Sequence, residues 1–70
     1  MDLLNYGRQT ERLVARILAA METHPEARTM TDAWDLFKVP GFKCDDLQPT
    51  LAQADAALAV ARRTYRERHP

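Results

Sequence analysis

Between Asp2 and His24 the apolar residues Leu3, Leu4, Tyr6, Leu13, Val14, Ile17, Leu18 and Met21 return every three or four positions. A helix turns by about 100° per residue, so this spacing gathers them on one side and predicts an amphipathic helix over about 2–24. Asp2 offers a side-chain oxygen to cap its start, and Pro25 disfavours helical backbone at His24, which sets its end. Gly7 weakens the first turns by roughly 1 kcal/mol relative to alanine.

Beyond the polar link HPEART the pattern changes. Thr29 stands three residues before Asp32 in a variant of the capping box, and DAWDLFK then reads as a short helix over about 30–38 with Ala33, Trp34, Leu36 and Phe37 on its apolar side. Such a helix is too short to hold alone and must dock on something. VPGF follows, with proline second and glycine third, the arrangement of a type II turn. Asp45 or Asp46 is placed to cap a second long helix over about 46–68, with Pro49 in its first turn and Phe42 as a staple against an early helical residue. Leu47, Leu51, Ala54, Leu58, Ala61 and Tyr65 keep a 4-3-4-3-4 spacing, a coiled-coil-like seam whose alanines allow close approach. The expected fold is all-α and forms one domain over 1–70. It is an antiparallel helical hairpin of the two long helices with the short helix folded across one end, making a small three-helix bundle.

Composition narrows the setting. Seventy residues are near the size at which one hydrophobic core only just offsets the entropy of ordering the chain, so help from a partner subunit is a natural expectation. A single cysteine excludes an internal disulfide and a four-cysteine zinc site, which suits a reducing, cytoplasmic location. No basic segment followed by an apolar run opens the chain, and no window approaches a membrane span. Ten basic and ten acidic side chains cancel, which removes the global footprint of a dedicated nucleic-acid binder. Arginine outnumbers lysine and alanine is abundant, a bias that GC-rich bacterial codon usage produces.

The stretch LFKVPGFKCDD concentrates unusual residues, but its chemistry is thin. Cys44 sits just before a helix start, yet the two following aspartates raise a thiol pKa rather than lower it, and His24 and His69 lie near the ends of the long helices. Cys44, Asp45 and Asp46 lack metal-ligand spacing, and neither GxxxxGK[ST] nor GxGxxG occurs. No catalytic, cofactor-binding or metal residue is assigned. Trp34, Phe37 and Phe42 pose a sharper question. A small domain either buries three aromatics between its long helices, the blander expectation, or shows them to a partner as an interface anchor.

Arginine spacing gives the other signal. Arg8, Arg12 and Arg16 follow at i, i+4 steps on the side opposite Leu13, Val14, Ile17 and Met21. Only Arg8 has a glutamate at helical reach, Glu11, so Arg12 and Arg16 mainly have each other. Arg62 and Arg66 repeat the motif near the end of the second long helix. In an antiparallel hairpin the two groups merge into one basic end, with the acidic residues from Glu22 to Asp46 crowding the other. Ala52, Ala56, Ala59 and Val60 give the second helix a further apolar side, which suits a homodimer by helix packing. These features point to a non-enzymatic protein-protein interaction module, a regulator, inhibitor or adaptor that meets an acidic protein surface through Arg8, Arg12, Arg16, Arg62 and Arg66 and the aromatic cluster. The alternative is a nucleic-acid-binding regulator with the same arginines on phosphates. Aspartates in the region that would read the bases weigh against it.

Overall fold

The computed structural model of the chain describes residues 3–39 and 41–69, with side chains from residue 7 onward. Helix α1 spans Leu3–Thr23, a single 3-10 turn spans Pro25–Thr29, the short α2 spans Ala33–Leu36, and α3 spans Leu51–Arg68. Among the described residues there is no strand, and the architecture is the small all-α three-helix bundle that periodicity predicts. Helix α1 stops where Pro25 requires it to, because His24 takes extended backbone with φ −128° and ψ 94°. Its buried side carries Leu13, Ile17, Ala20 and Met21, with Val14 and Leu18 half-buried against the same core. The cap expected from Asp2 and the side chains of Leu3, Leu4 and Tyr6 lie outside the described residues.

The long helices run parallel, and the expected antiparallel hairpin is corrected on this point. Early residues meet early residues: the Gln9 side-chain amide donates to the Leu47 carbonyl, and the Gln53 amide donates to Thr10 Oγ1 at 3.3 Å. Late residues meet late residues: His69 Nε2 lies 3.3 Å from Glu22 Oε1. The reason is the link over 24–50. Antiparallel neighbours in bundles need only about 2–8 residues between them, whereas this link is long enough to recross the length of α3, whose 18 residues extend for about 27 Å. Its last part descends along α1. Gly41, Phe42 and Lys43 line a cleft with Ala19, Thr23 and His24, and Asp46 and Leu47 line another with Arg8 and Arg12. The chain is therefore back beside the beginning of α1 when α3 starts.

That start also differs from expectation. Pro49 disfavours helical backbone at Gln48, which instead takes the left-handed region at φ +46°. Residues 44–48 close an isolated turn in which the Leu47 and Gln48 amides both donate to the Cys44 carbonyl. The helix begins only at Leu51, capped by Thr50, whose Oγ1 accepts from the Gln53 amide at 3.1 Å. Asp45 and Asp46 are not the caps, and Pro49 precedes the cap instead of lying in the first turn. Leu47 is buried from the turn, Leu51 leaves the seam and is 48% exposed, and Gln53, Ala54, Ala57, Leu58 and Ala61 form the buried side. Gln53 keeps its buried amide satisfied through the bond to Thr10.

Asp32 is the cap of α2, accepting from the Trp34 amide at 2.8 Å. The Ala33 amide donates to Asp55 Oδ1 of α3 at 2.8 Å. Thr29 closes the 3-10 turn and does not begin a capping box, so α2 is shorter than the expected 30–38. The VPGF turn forms as predicted, with Phe42 N–H donating to the Val39 carbonyl at 3.1 Å and Gly41 at φ +83°. Pro40 lies outside the described residues. Leu13, Ile17, Met21, Leu36 and Leu58 are the largest fully buried side chains, filled in by Ala27, Ala33, Ala54, Ala57 and Ala61.

Leu58 has no exposed surface to speak of, so Leu58→Ala is expected to cost about 2–5 kcal/mol in urea unfolding. Thr50→Ala is expected to cost about 1 kcal/mol and Thr50→Ser close to nothing.

Candidate interaction surface

Two sets of residues reach the surface with an excess of partner-binding chemistry. The first grows from α2. Ala33 and Leu36 are buried, and the bond from Ala33 to Asp55 fixes how the short helix is rotated, which turns Trp34 outward at 62% exposure and leaves Phe37 at 40%. The turn at Gly41 brings the chain back so that Phe42 stacks on Phe37, ring centroids 6.2 Å apart and planes inclined by 30°. Phe42 is half-buried and also packs on the core, which makes it the support of the pair. The blander expectation, burial of the aromatics between the long helices, fails for Trp34 and Phe37. Both phenylalanines line an open groove of about 470 Å³ with Lys43, Cys44, Asp45, Gln48 and Pro49.

The second set is the arginine stripe on α1. Arg8 and Arg12 are exposed as expected. Arg16 has a partner that helical spacing did not suggest. Its guanidinium grips the Asp46 carboxylate with both terminal nitrogens, Nη2 to Oδ2 at 2.6 Å, and Nη1 also donates to the Lys43 carbonyl at 3.3 Å. Those hydrogen bonds hold the Asp46 carboxyl below its ordinary pKa, with a smaller contribution from the charge of Arg12, and raise the Arg16 pKa. Arg16 is thus a clamp on the returning link, while Arg8 and Arg12 flank a cleft of about 390 Å³ that Asp46 and Leu47 close.

Arg62 and Arg66 do not join this group. They stand in the second half of α3, towards the end where Glu22 meets His69, so parallel helices separate the two arginine groups that an antiparallel pair would merge. The acidic end does not form either, since Asp46 lies among the arginines of α1. Arg62 is half-buried, and its Nε has no hydrogen-bond partner among the described residues. At the same end Tyr65 lies between His69, stacked at 4.2 Å, and the Arg28 guanidinium, 4.9 Å from the ring centroid. Arg28 Nε donates to the Met21 carbonyl at 2.7 Å. Sequence spacing gave no sign of this clasp, since its members come from three separate elements.

Burial is the leading cause that pushes the Cys44 thiol up, and Asp45 adds to it, so the residue is protonated at neutral pH. Among the described residues no three His, Cys, Asp or Glu side chains gather to hold a metal ion, and no helix is long and apolar enough to cross a membrane. Comparison with models of known protein families, with curated proteins and with solved structures finds no match to this chain.

Because the Asp46 pKa is depressed in the folded chain, the clamp adds stability above about pH 4 and loses it as the pH falls through the folded value. Asp46→Asn is therefore expected to lower the urea midpoint at pH 7 and to match the wild type in strong acid. An equal midpoint at pH 7 would count against the clamp.

Proposed function

We propose that the chain is a non-enzymatic protein-protein interaction module, a regulator, inhibitor or adaptor that seats its partner on the aromatic end of the bundle. The observation that carries this reading is the exposure of Trp34 and Phe37 on a helix whose backbone is held by Asp32 and Asp55. Exposed leucines are common on monomers, but a tryptophan held outward on a fixed backbone is the kind of residue that anchors an interface. The adjoining Phe37/Phe42 groove offers a pocket for an apolar side chain of the partner, with Lys43 and Asp45 at its rim. Arg8 and Arg12 add a basic flank that suits carboxylates, which guanidinium groups bind bidentately. Cys44, free and buried, fits a reducing cytoplasm.

The nucleic-acid alternative ranks lower on the same geometry. Phosphate tracking needs a continuous basic surface, whereas the arginines of α1 and α3 stand at different ends and Asp46 lies beside Arg12.

Affinity capture from cells of the source with the immobilised protein tests the reading. The Trp34→Ala, Phe37→Ala double variant is expected to lose its partner by about 30-fold or more, the size of a hot-spot truncation, at unchanged circular dichroism. Arg8→Glu with Arg12→Glu is expected to slow association and reverse its salt dependence. Identical capture by the wild type and the aromatic double variant would contradict the proposal.

A further inference from the structure

Helix α3 packs one side on the core, and among the described residues the other side is met only at its edge, where the Ala33 amide reaches Asp55. Ala52, Asp55, Ala56, Ala59, Val60 and Arg63 are all exposed there, and Val60 alone keeps 45% of its surface in solvent. Ala52, Ala56, Ala59 and Val60 form an apolar strip along this side, where an outward helix face is usually polar. Of the three charges on this side, Asp55, Arg63 and the exposed Arg66, the first two are arranged with a symmetry of their own. Asp55 stands four residues before Ala59 and Arg63 four residues after it.

A two-fold axis through an antiparallel helix pair exchanges positions equally spaced before and after the residue on the axis. With Ala59 on the axis, Asp55 of each copy faces Arg63 of the other, so one sequence supplies two ion pairs. Neither group is committed elsewhere in a way that prevents this. Among the described residues Arg63 forms no ion pair. Asp55 accepts from the Ala33 amide through Oδ1, and a carboxylate has acceptor capacity for a guanidinium besides. The alanines lower the steric floor between the helices towards the short end of the usual 8–10 Å interaxial range. Arg66 of the second copy crosses Ala52, where its aliphatic stem adds cover.

We propose that this side of α3 is a self-association surface whose occupant is a second copy of the chain, docked antiparallel with its two-fold axis at Ala59. Self-complementary charge selects this occupant, because an unrelated acidic or basic protein would match only one half of the Asp55/Arg63 pattern. Additional burial also suits a chain of this length, whose own core is small. Among the described residues the surface meets the aromatic end only at Asp55, whose Oδ1 holds the Ala33 amide of α2.

Sedimentation equilibrium of the wild-type protein tests the proposal first, with a mass of twice 8.0 kDa expected as concentration rises. Arg63→Glu sets like charges against Asp55 and is expected to weaken the dimer at least tenfold, roughly the effect of 1.4 kcal/mol, without loss of helicity. Ala59→Cys brings two thiols together at the axis, within the Cα separation of about 4.4–6.8 Å that a disulfide spans, and is expected to give covalent dimers under mild oxidation. Ala52→Cys, facing Arg66, is expected to give few, and the wild type none, since Cys44 is buried. A mass of 8.0 kDa at every concentration would overturn the proposal. So would a dimer that Arg63→Glu leaves intact and that Ala59→Cys fails to trap.

Discussion

Because α1 and α3 run in the same direction, the chain must return the length of the bundle before its last helix can begin, and the link over 24–50 is organised around that return. Each stage of it is tied down. Arg28 holds the first stage by bonding the Met21 carbonyl and lying over Tyr65. Asp55 receives the second through the Ala33 amide. Arg16 clamps the last through Asp46 and the Lys43 carbonyl, and Gln9 meets the Leu47 carbonyl just before α3 starts. Irregular backbone has to have its polar groups satisfied, and the bonds to the Lys43 and Leu47 carbonyls do so where no helix can. Most donors are long side chains of α1 or the first turn after it, so the first helix serves as the template on which the link is laid.

The same constraint accounts for which features could be read in advance. The face and end of α1 follow from periodicity and from Pro25, and the turn at Gly41 follows from the residues that form it; all are local rules. Direction is not local. A 4-3 seam states which side of a helix is apolar, and that side packs equally well against a parallel or an antiparallel neighbour. The clue was the length of the link, far greater than a hairpin needs. Thr50 followed by Gln53 carried the helix start as a capping pattern, but the two aspartates upstream offered a more conspicuous cap. Helical spacing leaves Arg16 unpartnered because it reaches only one turn away on the same helix, whereas the counterion lies thirty residues further along.

Exposure of the aromatic end has the same origin. Ala33, Trp34, Leu36 and Phe37 look like one apolar side, yet a helix this short can bury only part of such an arc. The hydrogen bond to Asp55 decides which part, seating Ala33 and Leu36 and turning Trp34 out. The parallel arrangement likewise commits Arg16 to structure and keeps the arginines of α3 away from those of α1, so the surface is divided into an aromatic groove, a small basic flank and the bare side of α3. Asp55 connects two of these, since it orients α2 from one edge of the α3 face.

Paramagnetic broadening from a spin label attached through His69→Cys tests the direction of the helices most directly. Parallel helices predict the strongest loss of amide signal around Glu22, weakening along α1 towards Arg12 and Arg8, which lie about 15 and 21 Å further on. Broadening around Arg8 and Arg12 with Glu22 intact would mean an antiparallel pair and would contradict the account of the link, the clamp and the groove together.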